Sequence, residues 1–179
     1  MRRTKDLILT YGKGNELKLE GYTDSDFQSD VDDRKSISAF VFLCNGGAVC
    51  WKSSKQTTTA DSTTEAEYVA ASEAAKEAVW IRKFVTELGV VPSIIDPVAL
   101  YCDNNGAIAQ AKEPRSHQKS KHIQRKYHLI REFISDKQIS VQRTPSADNV
   151  ADPLTKPMTQ QQLDHHLQKM GIGYHGDWL

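Results

Sequence analysis

No stretch of this 179-residue chain approaches the ~20 consecutive apolar residues that a membrane-spanning helix needs. The opening residues, MRRTKDLILTYGKG, lack the apolar core of a secretory signal. Cysteine is scarce: Cys44, Cys50 and Cys102 make an odd count, and none stands in a CxxC pair or at a Cys/His zinc spacing. That excludes a disulfide framework and predicts reduced core thiols in an intracellular protein. Net charge is absent, with 23 Lys and Arg against 23 Asp and Glu, which excludes a surface that is basic all over. Internal repeats and low-complexity linkers are also missing. What remains, 39% apolar and 26% charged residues, suits one globular domain with a core of ordinary size.

The charge is balanced but segregated. From Glu20 to Asp33 there are six acids (Glu20, Asp24, Asp26, Asp30, Asp32, Asp33) and no base, at the end of a strand-like run that would disfavour Asp. Residues 112 to 131 hold seven Lys or Arg against the single acid Glu113. Such a pair of patches suits a polyanion gripped on one side and a metal held on the other. Two solvated faces would give the same pattern.

The alternation of NELKLEGYTD predicts a strand, and SISAFVFLCNGGAVCWKS a hairpin turning at Asn45-Gly46-Gly47. A polar loop leads to a long helix over about 64–88, stopped by Gly89. DPVALYCD has the near-continuous apolar content of a buried parallel strand. NNGAIAQAKE predicts a short helix broken at Pro114, and residues 119–136 a second long helix whose apolar stripe is Ile123, Tyr127, Ile130 and Ile134. QISVQRTP predicts a last strand. A C-terminal helix broken near Pro153 and Pro157 follows it. An antiparallel opening followed by alternating elements implies an α/β fold, a mixed sheet covered by helices. The first dozen residues fit this plan poorly.

Sheets of this kind place their sites at the carboxyl ends of strands, where Asp24 and Asp103 fall. In the long helix, Ala70, Ala74, Ala78, Ile81, Val85 and Leu88 mark the face turned to the sheet, and Glu67 is in line with it. Glu65 is two residues away, about 200° around the helix, and is expected to face water. A carboxylate aimed at the core requires a partner, a proton or a metal. Asp152, preceding Pro153, is a fourth candidate, although Asp before Pro also makes a good helix N-cap. Asp148 is the alternative nearby. If four such acids meet, hard oxygen donors without a His/Cys set select Mg²⁺ or Mn²⁺ over zinc. Two ions about 4 Å apart would serve hydrolysis of a phosphodiester. Asp24 is then the acid of chemistry, and Asp26, Asp30, Asp32 and Asp33 belong to a solvated loop.

The motifs GYTDSDF with DDRKSISAFVF, WKSSKQTTTADSTTEAEYVAASEAAKEAVWIRKF, YCDNNGAIAQAKEPRSHQKSKHIQRKYHLIRE and NVADPLTK occur in that order. Together they resemble the ribonuclease H domain of Ty1/copia-type LTR retrotransposon polyproteins, over about residues 15–172. LTYGKG before them resembles the end of the segment joining reverse transcriptase to that domain, so residues 1–14 would be its tail and 173–179 a C-terminal tail. The resemblance implies a ribonuclease H-like fold with a five-stranded mixed sheet. It implies a catalytic and metal-binding set of Asp24, Glu67, Asp103 and Asp152, holding two Mg²⁺ or Mn²⁺ ions. The implied activity is endonucleolytic cleavage of the RNA strand of an RNA–DNA hybrid during reverse transcription. Ser62, Thr63, Thr64 and Asn105 would lie along the hybrid's minor groove, where hydroxyls and amides recognise the 2′-OH. Apart from the resemblance, the charge of the second long helix away from its apolar stripe would set Lys119, Lys121 and Arg125 against the hybrid's phosphates, the alternative being that this helix faces the reverse transcriptase domain. The implied partner is the reverse transcriptase domain of the same polyprotein, in a cytoplasmic virus-like particle or the nucleus, and not a membrane.

Two departures stand out. Cellular ribonucleases H usually carry a His in the loop before the last Asp, and ISVQRTPSADNVAD has none; His122 is a conceivable substitute. Ala39 stands where copia relatives commonly have Gly, a change in packing. The rival readings are a catalytically weak or inactive domain that binds hybrid or spaces a polyprotein, and a metal-binding interaction module. An integrase-type strand transferase would use three acids ending in Glu.

Overall fold

The computed structural model describes residues 5–12, 17–30, 32–89, 94, 96–113 and 127–174. Its centre is a five-stranded sheet in the order β4-β3-β2-β5-β6. Strand β2 spans Leu19–Asp26, β3 Ile37–Cys44, β4 Gly47–Lys55, β5 Val98–Cys102 and β6 Ile139–Arg143. The first three pair antiparallel, and β5 and β6 join in parallel. The hairpin between β3 and β4 turns where expected: Asn45 and Gly46 both take positive φ (48° and 80°), the geometry whose twist matches the flanking strands.

Helix α1, Thr63–Leu88, lies on the sheet. Ser62 caps it, its hydroxyl accepting from the Glu65 N–H at 3.2 Å, and Gly89 ends it with φ of 63°. Ala66, Ala70, Ala71, Ala74, Ala75 and Ala78 are all buried, so the helix backbone approaches the sheet closely. Of the expected stripe only Leu88 is exposed. At about 1.5 Å per residue the 26-residue helix is longer than any strand beneath it, so its last turn overhangs.

Helices α2 (Asn105–Lys112) and α3 (Leu129–Ser135) follow β5. Tyr127 and Ile130 are buried in the main core, as the stripe of the second long helix requires, and Ile134 packs against it. The earlier part of that expected helix, with Lys119, Lys121, His122, Ile123 and Arg125, lies outside the described residues. Two 3-10 turns, Ser146–Asp148 and Asp152–Leu154, precede α4 (Gln160–Lys169). A separate two-stranded sheet pairs β1 (Leu7–Leu9) with β7 (Ile172–Tyr174), elements too short to carry a readable periodicity. Among the described residues no helix is long and apolar enough to cross a membrane.

Candidate active site

Strand β2 outruns its parallel neighbour: the β2–β5 ladder stops at Tyr22–Tyr101, whereas β2 continues beside β3 to Asp26. Asp24 therefore lies inside the strand rather than closing it, at the point where the sheet opens beyond β5. Its side chain is fully buried. Asp103 follows the last residue of β5, and Asp152 opens the second 3-10 turn. Carboxylate oxygens of Asp24, Asp103 and Asp152 lie within 4.8 Å of one another. A second group within the same distance joins Glu67, the Cys102 sulfur and Asp103, so Asp103 belongs to both. The four acids read from the sequence thus meet from two strands, one helix and one turn.

Glu67 is buried and points to the sheet, as its place on the helix predicts. The Ser25 N–H donates to its Oε1 at 3.1 Å and fixes its direction. Burial, and then the Asp24 and Asp103 charges, push its pKa up to about 9. Burial and the Asp24 charge push Asp152 up to about 7. The Cys102 thiol is pushed up to about 12, chiefly by burial. The cap of that turn is Ala151 and Asp152 is its first residue, so the N-cap alternative for Asp152 does not hold; the buried Asp152 Oδ1 makes no hydrogen bond. Crowded carboxylates, one of them with its pKa pushed far up and another with an oxygen that makes no hydrogen bond, are a donor set that fits a hard divalent cation.

Asp148, the alternative to Asp152, points elsewhere, pairing with Lys169 and lying 3.8 Å from His165 Nε2. Of the acids assigned to a solvated loop, Asp26 is instead the last residue of β2, paired with Ile37 of β3, while Lys55 of β4 pairs with Asp30, and with Asp33 at 3.2 Å. Glu65 corrects the sequence reading. It is buried, not solvent-facing, and its Oε2 accepts from the Asp61 N–H at 2.9 Å. Helical phase describes only the sheet side. The loop before α1 supplies the partner that phase cannot show, the Asp61 N–H on Glu65, while Gln56 of the same loop donates to Ser38 on β3 at 2.7 Å and to the Ala66 carbonyl at 2.9 Å.

The starts of α1 and α2 abut, with Thr64 Oγ1 donating to Asn104 Oδ1 at 3.4 Å. A Cβ on Gly106 would stand 2.8 Å from the Thr64 side chain, which would have to shift to admit it. Exposed Ser62, Thr63 and Asn105, with half-buried Thr64, share that rim; the cap of α2 is Asn104, not Asn105.

Three residues escaped the sequence reading. Lys156 Nζ lies 3.0 Å from Asp24 Oδ1 and 3.6 Å from Asp152 Oδ1, and Thr155 Oγ1 donates to Asp24 Oδ2. The i,i+4 spacing of Asp152 and Lys156 was the available signal. Burial alone would depress Lys156, but the Asp24 charge raises it above the ordinary lysine value. Fully buried Asn149 donates from Nδ2 to the Thr23 carbonyl at 3.0 Å and accepts from the Ala151 N–H at 3.2 Å, tying the Asp152 turn to the strand that carries Asp24.

No protein-family model matches the chain. It is 38% identical over 177 residues, 99% of its length, to the retrovirus-related Pol polyprotein from transposon TNT 1-94 of Nicotiana tabacum. It is 34% identical over 94% of its length to that from transposon RE2 of Arabidopsis thaliana. It spans only 13% and 12% of those polyproteins. Among solved structures, ribonuclease H1 from Halobacterium salinarum superposes with a TM-score of 0.54 at 20% identity, covering 83% of this chain and 98% of that one. LC11 ribonuclease H1, solved in complex with an RNA/DNA hybrid, superposes with a TM-score of 0.55 at 17% identity, covering 76% and 93%. Sequence thus places the chain in the family of copia-type retrotransposon Pol polyproteins, as the stretch of them that takes the ribonuclease H fold.

Proposed function

We propose that this domain is a metal-dependent endonuclease that hydrolyses the RNA strand of RNA–DNA hybrids, in a polyprotein that also carries reverse transcriptase. The observation that carries this reading is the convergence of Asp24, Asp103 and Asp152 oxygens within 4.8 Å, with Glu67 joined to them through Asp103. Two Mg²⁺ or Mn²⁺ ions held there would activate the attacking water and neutralise the leaving oxygen. The chain's own residues do the rest. Asp24 is held rigid by its strand and by Thr155, Glu67 is aimed by the Ser25 N–H, and Asn149 fixes the turn that presents Asp152. Each acid must be ionised to act as a ligand, so loading releases the proton that burial and like charges keep on Glu67.

On the same reading, Ser62, Thr63, Thr64 and Asn105 contact the minor groove of the hybrid, and Lys119, Lys121 and Arg125 contact phosphates. Support comes from the common rim formed by the starts of α1 and α2. The test is cleavage of a labelled RNA–DNA hybrid in Mg²⁺ or Mn²⁺, beside EDTA, single-stranded RNA and duplex DNA controls. Asp24→Asn and Asp103→Asn should each abolish cleavage while the protein stays folded. Wild-type cleavage in Asp24→Asn would sink the proposed site.

A further inference from the structure

Both carboxylate oxygens of Asp24 are already engaged. Thr155 donates to Oδ2, and the Lys156 ammonium stands 3.0 Å from Oδ1 while also reaching to 3.6 Å from Asp152. A divalent ion binds carboxylate oxygen at about 2.0–2.2 Å and would therefore share Oδ1 with a like-charged neighbour in a half-buried site, where such repulsion is weakly screened. The ammonium has room to leave. Its side chain is 39% exposed. A cleft of about 590 Å³ opens beside it, lined also by Asp148, Asp152, Pro157 and His165.

We propose that Lys156 is a built-in counter-cation: it neutralises the carboxylate cluster when no metal is bound, and must be displaced when a divalent ion enters. Lys156 thereby sets how much metal the site demands. This rests on the metal-dependent reading above, and the tests below separate the two.

Mn²⁺ binding is measured by the electron paramagnetic resonance signal of the unbound ion, on wild type, Lys156→Gln and Lys156→Arg. Lys156→Gln should bind roughly tenfold more tightly, equivalent to about 1.4 kcal/mol. Lys156→Arg, which keeps the cation, should stay near wild type. The second measurement needs no variant and so survives a folding failure of Lys156→Gln. Reductive methylation of wild type, read by peptide mass spectrometry against exposed Lys52 as internal reference, should modify Lys156 slowly in EDTA and several-fold faster with Mn²⁺. Affinity in Lys156→Gln equal to or weaker than wild type, or a Lys156 labelling rate unchanged by Mn²⁺ that wild type demonstrably binds, overturns the inference and leaves the metal reading standing. No Mn²⁺ binding in any of the three proteins overturns both.

Discussion

Replacing Asn149 by Ala should show how far the site depends on a residue that touches no substrate. Asn149 is fully buried, and its amide makes two hydrogen bonds, to the Thr23 carbonyl and from the Ala151 N–H. Truncation leaves both backbone groups buried without that partner, at about 1–3 kcal/mol each when unsatisfied. Partial collapse and entry of water offset some of this, so a loss of about 2–4 kcal/mol is expected. With a urea m-value of about 2–3 kcal/mol/M, the unfolding midpoint in EDTA should fall by roughly 1 M at unchanged m. The second consequence is local. The Asp152 turn is no longer tethered to β2, so Mn²⁺ affinity should weaken, and the cleavage rate should drop even in conditions where the variant is fully folded. A midpoint within about 0.3 M of wild type, together with wild-type Mn²⁺ affinity, would refute the reasoning, because it would show the turn to be held by something other than this side chain.

Other outcomes follow from the same geometry. Glu67→Gln should leave the stability of the metal-free protein at pH 7 almost unchanged, since the acid it replaces is already protonated there, while abolishing cleavage; a large stability loss in EDTA would contradict the raised pKa. Glu65→Gln keeps an oxygen for the Asp61 N–H and should retain nearly full cleavage, and equal losses at both glutamates would show that their different surroundings do not matter. In EDTA, stability should fall as pH rises from about 4 to 9. The folded-state values of Glu67 (about 9) and Asp152 (about 7) lie above the ordinary 4.5 and 3.8, so the native state binds more protons in that window and loses this advantage as pH climbs. Saturating Mg²⁺ should flatten the slope, and urea midpoints rising with pH in EDTA would count against the cluster. Changing Lys119, Lys121 and Arg125 together to Ala should weaken hybrid binding and lower its salt slope by roughly one unit per phosphate contact removed. A wild-type slope would point those residues away from nucleic acid.

Much of the fold was legible because its signals are local. The Asn45-Gly46 turn, the Ser62 cap, the Gly89 stop and the apolar run of β5 each reflect a preference of a few neighbouring residues. The convergence of the acids was partly legible for a similar reason: the end of β5 and helical phase locate Asp103 and Glu67 relative to their own elements, whereas Asp24 lies inside β2 rather than closing it. What went unread depends on contacts between distant segments. Lys156 and Asn149 acquire their meaning from β2, more than 120 positions earlier in the chain. Glu65 was misjudged because helical phase describes the side packed on the sheet and says nothing of the preceding loop, whose Asp61 N–H binds Glu65. Leu88 joined the apolar stripe by spacing, but the sheet beneath it ends first.

The small β1–β7 sheet has a kinetic consequence. It joins Leu7 to Tyr174, and Thr10 donates its N–H to the Gly171 carbonyl at 2.8 Å, so it cannot close until both segments are present. On a ribosome, the segment with Leu7–Leu9 would wait for at least 160 further residues, some 10–30 s at about 5–20 residues per second. The five-stranded sheet has no such dependence, and loop-closure entropy disfavours making the longest-range pairing early. The clasp should therefore form after the rate-limiting step of folding. Weakening it, for instance by Ile8→Pro, should leave the refolding rate nearly unchanged and quicken unfolding instead.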